Sequence, residues 1–232
     1  MSLVAVRPPE YLPRLEVAAL LLAADRFVVA DTFPFSRQSH HNRTRIRAVN
    51  GMQWLSVPRR HAGRPLPLAE VGVVDDGWRR RHLAAVRAAY GMAPFVDHVM
   101  PGLADLLAEP PASLGALTSA TMAWVARWLD APAEIVRASD LPGRPDRLGA
   151  VWETAGGNAL VTLDESLAPD RRSLPDTPTH VLRFEESPRR QAFAGFEDGA
   201  GVLDLLMNYG PASAGVLRAG SRTEAVSGAP PA

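Results

Sequence analysis

LVAVRPPEYLPRLEVAALLLAADRFVVAD, residues 3–31, decides how the chain is to be read. LVAVR is a short apolar run of the kind that fills a buried strand. PPEYLP carries the prolines of a turn, and residues 15–24 form an apolar stretch of helical length. RFVVAD then returns to β-branched residues. Strand, helix and strand in that order predict a βαβ unit, with residues 2–7 and 26–31 as neighbouring parallel strands and the helix packed across them. Parallel sheets bind ligands in the crevice beyond the carboxyl ends of their strands, and Asp31 stands at such an end.

The segment leaving that second strand is crowded with hydrogen-bonding groups. DTFPFSRQSHHNRTRIRA, residues 31–48, holds one carboxylate, two adjacent histidines, an asparagine and four arginines. RTRIRAV and QWLSVP flank the turn signal Asn50-Gly51, which predicts a hairpin whose alternation sets Arg43, Arg45 and Arg47 on one face. AEVGVV, residues 69–74, reads as a further extended stretch. WRRRHLAAVRAAY repeats apolar residues at helical spacing through Trp78, Val86 and Tyr90. LGALTSATMAWVARWL continues that period through Leu114, Leu117, Trp124, Val125 and Trp128. After the loop SDLPGRPD a third helical segment lies near residues 146–155. NALVTL and HVLRF read as short strands separated by a Pro- and Asp-rich connection, and GVLDLLMN as a late helix. AGSRTEAVSGAPPA, residues 219–232, is small and polar enough for a disordered tail. The expectation is therefore an α/β protein with an N-terminal βαβ unit, a mixed sheet and a helical C-terminal half. Residues 1–218 make one domain, and 219–232 the tail.

Composition removes several classes of function. With 232 residues and 47% of them hydrophobic, a sizeable core is within reach. Basic and acidic residues balance at 25 each, so no overall field draws in nucleic acid or an acidic membrane, and an anion site has to be local. Every basic residue other than histidine is Arg. Without Lys there is no Schiff-base chemistry and no P-loop, and without Cys there is no disulfide, thiolate metal site or cysteine nucleophile. VAALLLAA at residues 17–24 is too short to span a membrane, and Arg14, Asp25 and Arg26 are the wrong flanks for a secretory signal, so a cytoplasmic location is expected.

Adjacent His40 and His41 face opposite ways on an extended chain, and no HExxH follows, so no metal is assigned. No cofactor is assigned either. Ser36 and Ser39 lack a GxSxG elbow. Arg79, Arg80 and Arg81 span most of a helical turn and are chiefly a solvated face. Arg59, Arg60 and Arg64, in a Pro- and Gly-rich loop, suit either the docking of an acidic carrier protein or simple solvation.

Four blocks together resemble the WbqC-like proteins of bacterial polysaccharide and natural-product gene clusters. PPEYLP keeps the Tyr11, Leu12 and Pro13 of the family's first motif. DRFVVADTFPFSRQSHHNRTRI is similar to its central signature, ending in Asn-Arg-x-Arg-Ile. WRRRHLAAVRAAYGMAPF resembles its Trp-Arg-x-x-His helix, and VLDLLMNYGP its C-terminal motif. Pro8, Thr32 and Pro34 stand where the family usually carries Gln, Asp and Gln, and its Tyr-x-Ser-Gly near residue 160 is reduced to LVTLDES.

The resemblance implies an acyl or aminoacyl transferase, of a glycyl-transferring type, that forms an amide on a small-molecule amine, with an acyl or aminoacyl carrier protein as a donor partner. In that reading His82 is the base, Asp31 orients it or holds the amine, and Asn42 donates to the oxyanion. Arg43 and Arg45 clamp an anionic group, with Tyr11, Ser39 and Arg37 completing the substrate site. The departures at Pro8, Thr32 and Pro34 favour an alternative, a non-catalytic scaffold that binds a carrier protein. A nucleotide-binding transferase ranks below both, because no phosphate-binding signature is present.

Overall fold

The first strand, β1 (Leu3–Arg7), is followed by helix α1 (Leu15–Ala23) and strand β2 (Arg26–Val29). The computed structural model describes residues 2–226 apart from 62, 110 and 175. β1 and β2 pair in parallel from Val4 opposite Arg26 to Arg7 opposite Val29, as the crossover reading requires. Next come the hairpin strands β3 (Arg43–Ala48) and β4 (Gly51–Ser56), then helices α2 (Trp78–Tyr90), α3 (Val96–Leu106) and α4 (Leu114–Trp128). The remainder alternates β5 (Glu134–Arg137), α5 (Leu148–Ala155), β6 (Ala159–Leu163), α6 (Leu167–Ser173) and β7 (Thr179–Phe184). It closes with α7 (Val202–Tyr209), α8 (Ser213–Ala219) and β8 (Ser221–Val226).

The fold is α/β with a mixed six-stranded sheet in the order β5-β2-β1-β6-β7-β8, in which only β8 is antiparallel. This is the doubly wound order, with β1 at the centre. Alternation along β1 and β2 sends Ala5, Phe27 and Val29 into a core shared with α1, α4 and α8, while Val4, Val6 and Val28 pack under α5 with Val151 and Trp152. Covering both faces explains why LVAVR, RFVV and ALVTL read as nearly unbroken apolar runs. α1 is apolar nearly all round because it lies between the sheet and α4 and α8. No described helix is long and apolar enough to cross a membrane.

The hairpin forms as expected, with Gly51 at φ +105° closing the turn opposite Ala48. It makes a separate two-stranded sheet, held from the other side by the Gly201 N–H, which donates to the Arg45 carbonyl at 2.8 Å. A Cβ on Gly201 would run into the Thr44 hydroxyl, so the backbones meet there only because this residue has no side chain.

Two expectations need correction, and several elements are additions. AEVGVV is not a strand: Leu68–Glu70 is a 3-10 turn and Val73 makes only an isolated bridge to Arg59. The connection between β6 and β7 holds α6. The tail is ordered through Val226, because β8 joins the sheet through main-chain pairing with β7 although its side chains are mostly exposed. Residues 227–232 lie outside the described residues. α3, β5 and α8 are further elements that the periodicity does not announce.

Candidate functional site

In the sheet order, β1 and β6 are neighbours, but the chain leaves β1 toward α1 on one face and leaves β6 toward α6 on the other. Their carboxyl ends therefore part, which opens a crevice at the topological switch point. A cavity of about 270 Å³ lies there. Arg7, Glu10 and Arg14 line it from the β1–α1 connection, Glu165 from beyond β6, and Ser39, His40 and His41 from the loop after β2.

The lining is a set of opposed charges. Arg14 donates to Glu10 at 2.9 Å and to Glu165 at 2.9 Å, and Arg7 donates to Glu165 at 3.0 Å. Arg7 also donates to the Ser166 hydroxyl, while its Nε is buried without a partner. The Arg14 hydrogen bond holds the Glu165 carboxyl below its usual range. Burial works against the charge of Arg14, but Glu10 and Glu165 outweigh it, and the guanidinium stays charged.

The two histidines differ. The Nδ1 of His41 accepts the Ser36 N–H at 3.2 Å, which assigns Nε2 as the protonated nitrogen, and burial pulls its pKa down to about 4. His41 is thus a neutral donor. His40 is half-buried, with its ring 5.5 Å from that of Trp54, and burial lowers its pKa as well. At neutral pH both rings are uncharged.

The residues singled out in the sequence are held by different partners. His82 is 6% exposed, and its Nδ1 lies 3.1 Å from the Tyr11 hydroxyl, with the Trp78 ring edge-on at 4.9 Å. Burial lowers its pKa to about 4. Burial also raises the Tyr11 phenol. The structure brings these two together in a closed aromatic box.

Asp31, fully buried, accepts from Arg137 at 2.7 and 3.0 Å and from the Ser139 N–H and hydroxyl at 2.9 and 2.7 Å. It clamps the ends of β2 and β5 and shares no hydrogen bond with His82 or Asn42. Asn42 donates to the Val57 carbonyl at 2.8 Å and accepts the Val57 N–H at 2.7 Å, extending the hairpin ladder.

Arg43 and Arg45 stand over the half-exposed Trp54 at 4.6 and 5.4 Å, and Arg43 Nε donates to the Ser39 carbonyl. Arg47 shares the expected face but turns toward Phe193 and Glu197. Ser39 lines the crevice, and Arg37 lines a different cavity. Asp31 is thus held against β5, whereas Asn42 and Arg43 sit on the hairpin, where the backbone of Ser56, the strand partner of Arg43, hydrogen-bonds His82.

Sequence reasoning did not single out Arg7, Glu10, Arg14 or Glu165, and it considered His40 and His41 only as metal ligands. The signal that finds Arg7, Glu10 and Glu165 is charge at the carboxyl end of a buried parallel strand, in RPPE at the end of β1 and DE after β6, once those strands are known to be neighbours, and Arg14 follows at the cap of α1.

Similarity to other proteins supports the assignment of the whole chain. It is 25% identical over 227 residues to the uncharacterized protein Rv1507c of Mycobacterium tuberculosis, covering 94% of this chain and 98% of that one. No solved structure matches it. The profile of the WbqC-like protein family matches residues 8–215, from the turn that follows β1 into the first residues of α8, and the chain belongs to that family.

Proposed function

We propose that the chain is an acyl or aminoacyl transferase that forms an amide on a small-molecule amine, with the switch-point crevice as its site. The observation that carries this reading is a neutral, half-buried His40 in the same crevice as the carboxylates Glu10 and Glu165 and the guanidiniums Arg7 and Arg14. An amine acceptor arrives as an ammonium, which the carboxylates attract. His40 takes one proton and frees the nitrogen lone pair. The nitrogen then attacks the donor carbonyl, the C–N bond forms, the bond to the leaving group breaks with its electron pair, and the second nitrogen proton passes to the departing group. Arg7 and Arg14 meet the negative charge of a departing thiolate or phosphate, and the Nε2–H of His41 is a donor for the oxyanion. The crevice is at the small end of ligand pockets, which suits an amine head group and an acyl carbon and leaves no room for a large donor.

One observation favours the scaffold alternative: Asp31, Asn42 and His82 are committed to internal hydrogen bonds. The test is incubation with the glycyl thioester of N-acetylcysteamine and glucosamine, following the amide by mass spectrometry. Wild type is compared with His40→Asn and Glu10→Gln, and melting curves check folding. Product that falls by roughly 10²–10⁴-fold in His40→Asn is the expected result. Equal turnover in wild type and both variants overturns the site. If no amide forms and neither reactant shifts the melting temperature, the scaffold reading replaces the transferase.

A further inference from the structure

The loop between β2 and β3 has two sides. Gln38 to His41 face the crevice, whereas Phe35 and Arg37 line a second cavity of about 220 Å³, completed by Arg59, Arg60 and Arg64 from the loop after β4. Four arginines line it and no acidic residue does. Elsewhere in the molecule nine arginines pair with carboxylates: Arg7, Arg14, Arg26, Arg47, Arg79, Arg81, Arg137, Arg183 and Arg189. Among the described residues, none of the four in this cavity does. In a chain of zero net charge, four cations gathered without counter-charge form a local positive field that a neutral solvated face would not need.

The walls are fixed by the main chain. Phe35 N–H donates to the Leu66 carbonyl at 2.9 Å, and Leu68 N–H to the Phe33 carbonyl at 3.0 Å. Opposite them, Arg60 N–H donates to the Gly72 carbonyl at 2.8 Å, and Arg59 bridges Val73. Two of the cations are held in place as well. The Arg59 guanidinium lies 4.4 Å over the Phe35 ring, and the Arg60 stem lies against Gly72, where a Cβ would come within 3.0 Å of Arg60 Cδ. The Arg59 fork and the Arg60 stem are therefore held before any ligand arrives, which lowers the ordering cost of binding.

We infer that this cavity is a binding site for the phosphate group of a small molecule, a phosphate monoester or diphosphate. Planar guanidiniums pair bidentately with phosphate oxygens, and four of them match the charge of a diphosphate better than that of a single carboxylate. A concave cavity of this size encloses a phosphate group and cannot seat the surface of a folded acidic protein. The site stands whatever chemistry the neighbouring crevice performs.

Calorimetric titration of the full chain with inorganic pyrophosphate, inorganic phosphate and acetate tests the inference. Pyrophosphate is expected to bind most tightly and acetate least, with an affinity that falls as salt is added. Arg59→Gln and Arg64→Gln each weaken pyrophosphate at least tenfold, and Arg59→Lys weakens it several-fold because a point charge replaces a fork. The distant Arg127→Gln leaves it unchanged. Arg64 lies in an exposed loop, so that variant keeps the fold if Arg59→Gln does not, and melting curves check both. Absence of pyrophosphate binding overturns the site. So does binding that survives Arg59→Gln and Arg64→Gln but is lost in Arg7→Gln, which would move the anion to the crevice. Binding of a poly-glutamate peptide without binding of pyrophosphate would replace the phosphate group with an acidic protein segment.

Discussion

Tyr11 stands between two histidines in opposite conditions. Its hydroxyl meets the ring of His82 inside the aromatic box, and its main-chain N–H donates to the carbonyl of His40 at the edge of the crevice. His82 is enclosed, with its Nδ1 occupied and its neighbours Tyr11 and Trp78 fully buried. His40 is open on one side, among charges that have room for a guest. The same imidazole is a packing element in one place and an available base in the other, and what separates them is burial and the occupancy of their ring nitrogens. A motif histidine therefore marks where the fold needs an imidazole, which is a different matter from where a substrate can reach one.

The sharpest way to break the comparison is Tyr11→Ala. Removing a ring that is fully buried costs about 3–5 kcal/mol, and in a chain of this size that lowers the melting temperature by roughly 6–20 °C. A smaller drop would mean that the box is not part of the core. The next effect is a pH dependence of stability. His82 and His41 have folded pKa values of about 4 against an ordinary 6.5, so between those limits the unfolded chain binds more protons than the folded one. Stability is complete above about pH 6.5 and falls as the pH is lowered toward 4, by about 3 kcal/mol for each histidine. Denaturant melts across that range measure it, and His82→Gln should remove about half of the slope. An unchanged slope would place the titration elsewhere. The smallest expected effect is Glu165→Gln. Its side chain is 52% exposed, so losing its ion pairs costs at most about 1 kcal/mol of stability. In an equilibrium titration with glucosamine the same variant should lose most of the affinity. Loss of stability without loss of binding would make the crevice charges structural and dissolve the contrast with the box.

Much of the fold is legible in the chain because local pattern and tertiary need agree. β1, α1 and β2 read directly as a crossover, and α2, α4 and α7 carry apolar stripes that meet a core. What the pattern does not announce has a physical cause in each case. β5 is four residues at a sheet edge with charged ends, α3 contains Pro101, and β8 contributes main-chain hydrogen bonds and almost no buried side chain. The candidate site was less legible for a different reason. Asp31 and Asn42 are placed well along the sequence, yet their polar atoms are consumed by Arg137, Ser139 and Val57, which no local reading can foresee. Glu10 and Glu165 acquire meaning only when β1 and β6 are known to lie side by side, and strand order is a property of the whole chain.

That adjacency also sets when the protein can acquire its site during synthesis. β1 and β2 are available to each other as soon as the first thirty residues have emerged, but the other edge of β1 waits for Leu160, and the bond from Arg7 to Glu165 joins residues 158 apart. A growing chain therefore carries an unpaired central strand edge through most of its translation, and closure comes late, with loop entropy against it. A nascent chain arrested before β6 would expose LVAVR on one side, open to pairing with another chain, so chaperone capture and misassembly would both be concentrated at β1.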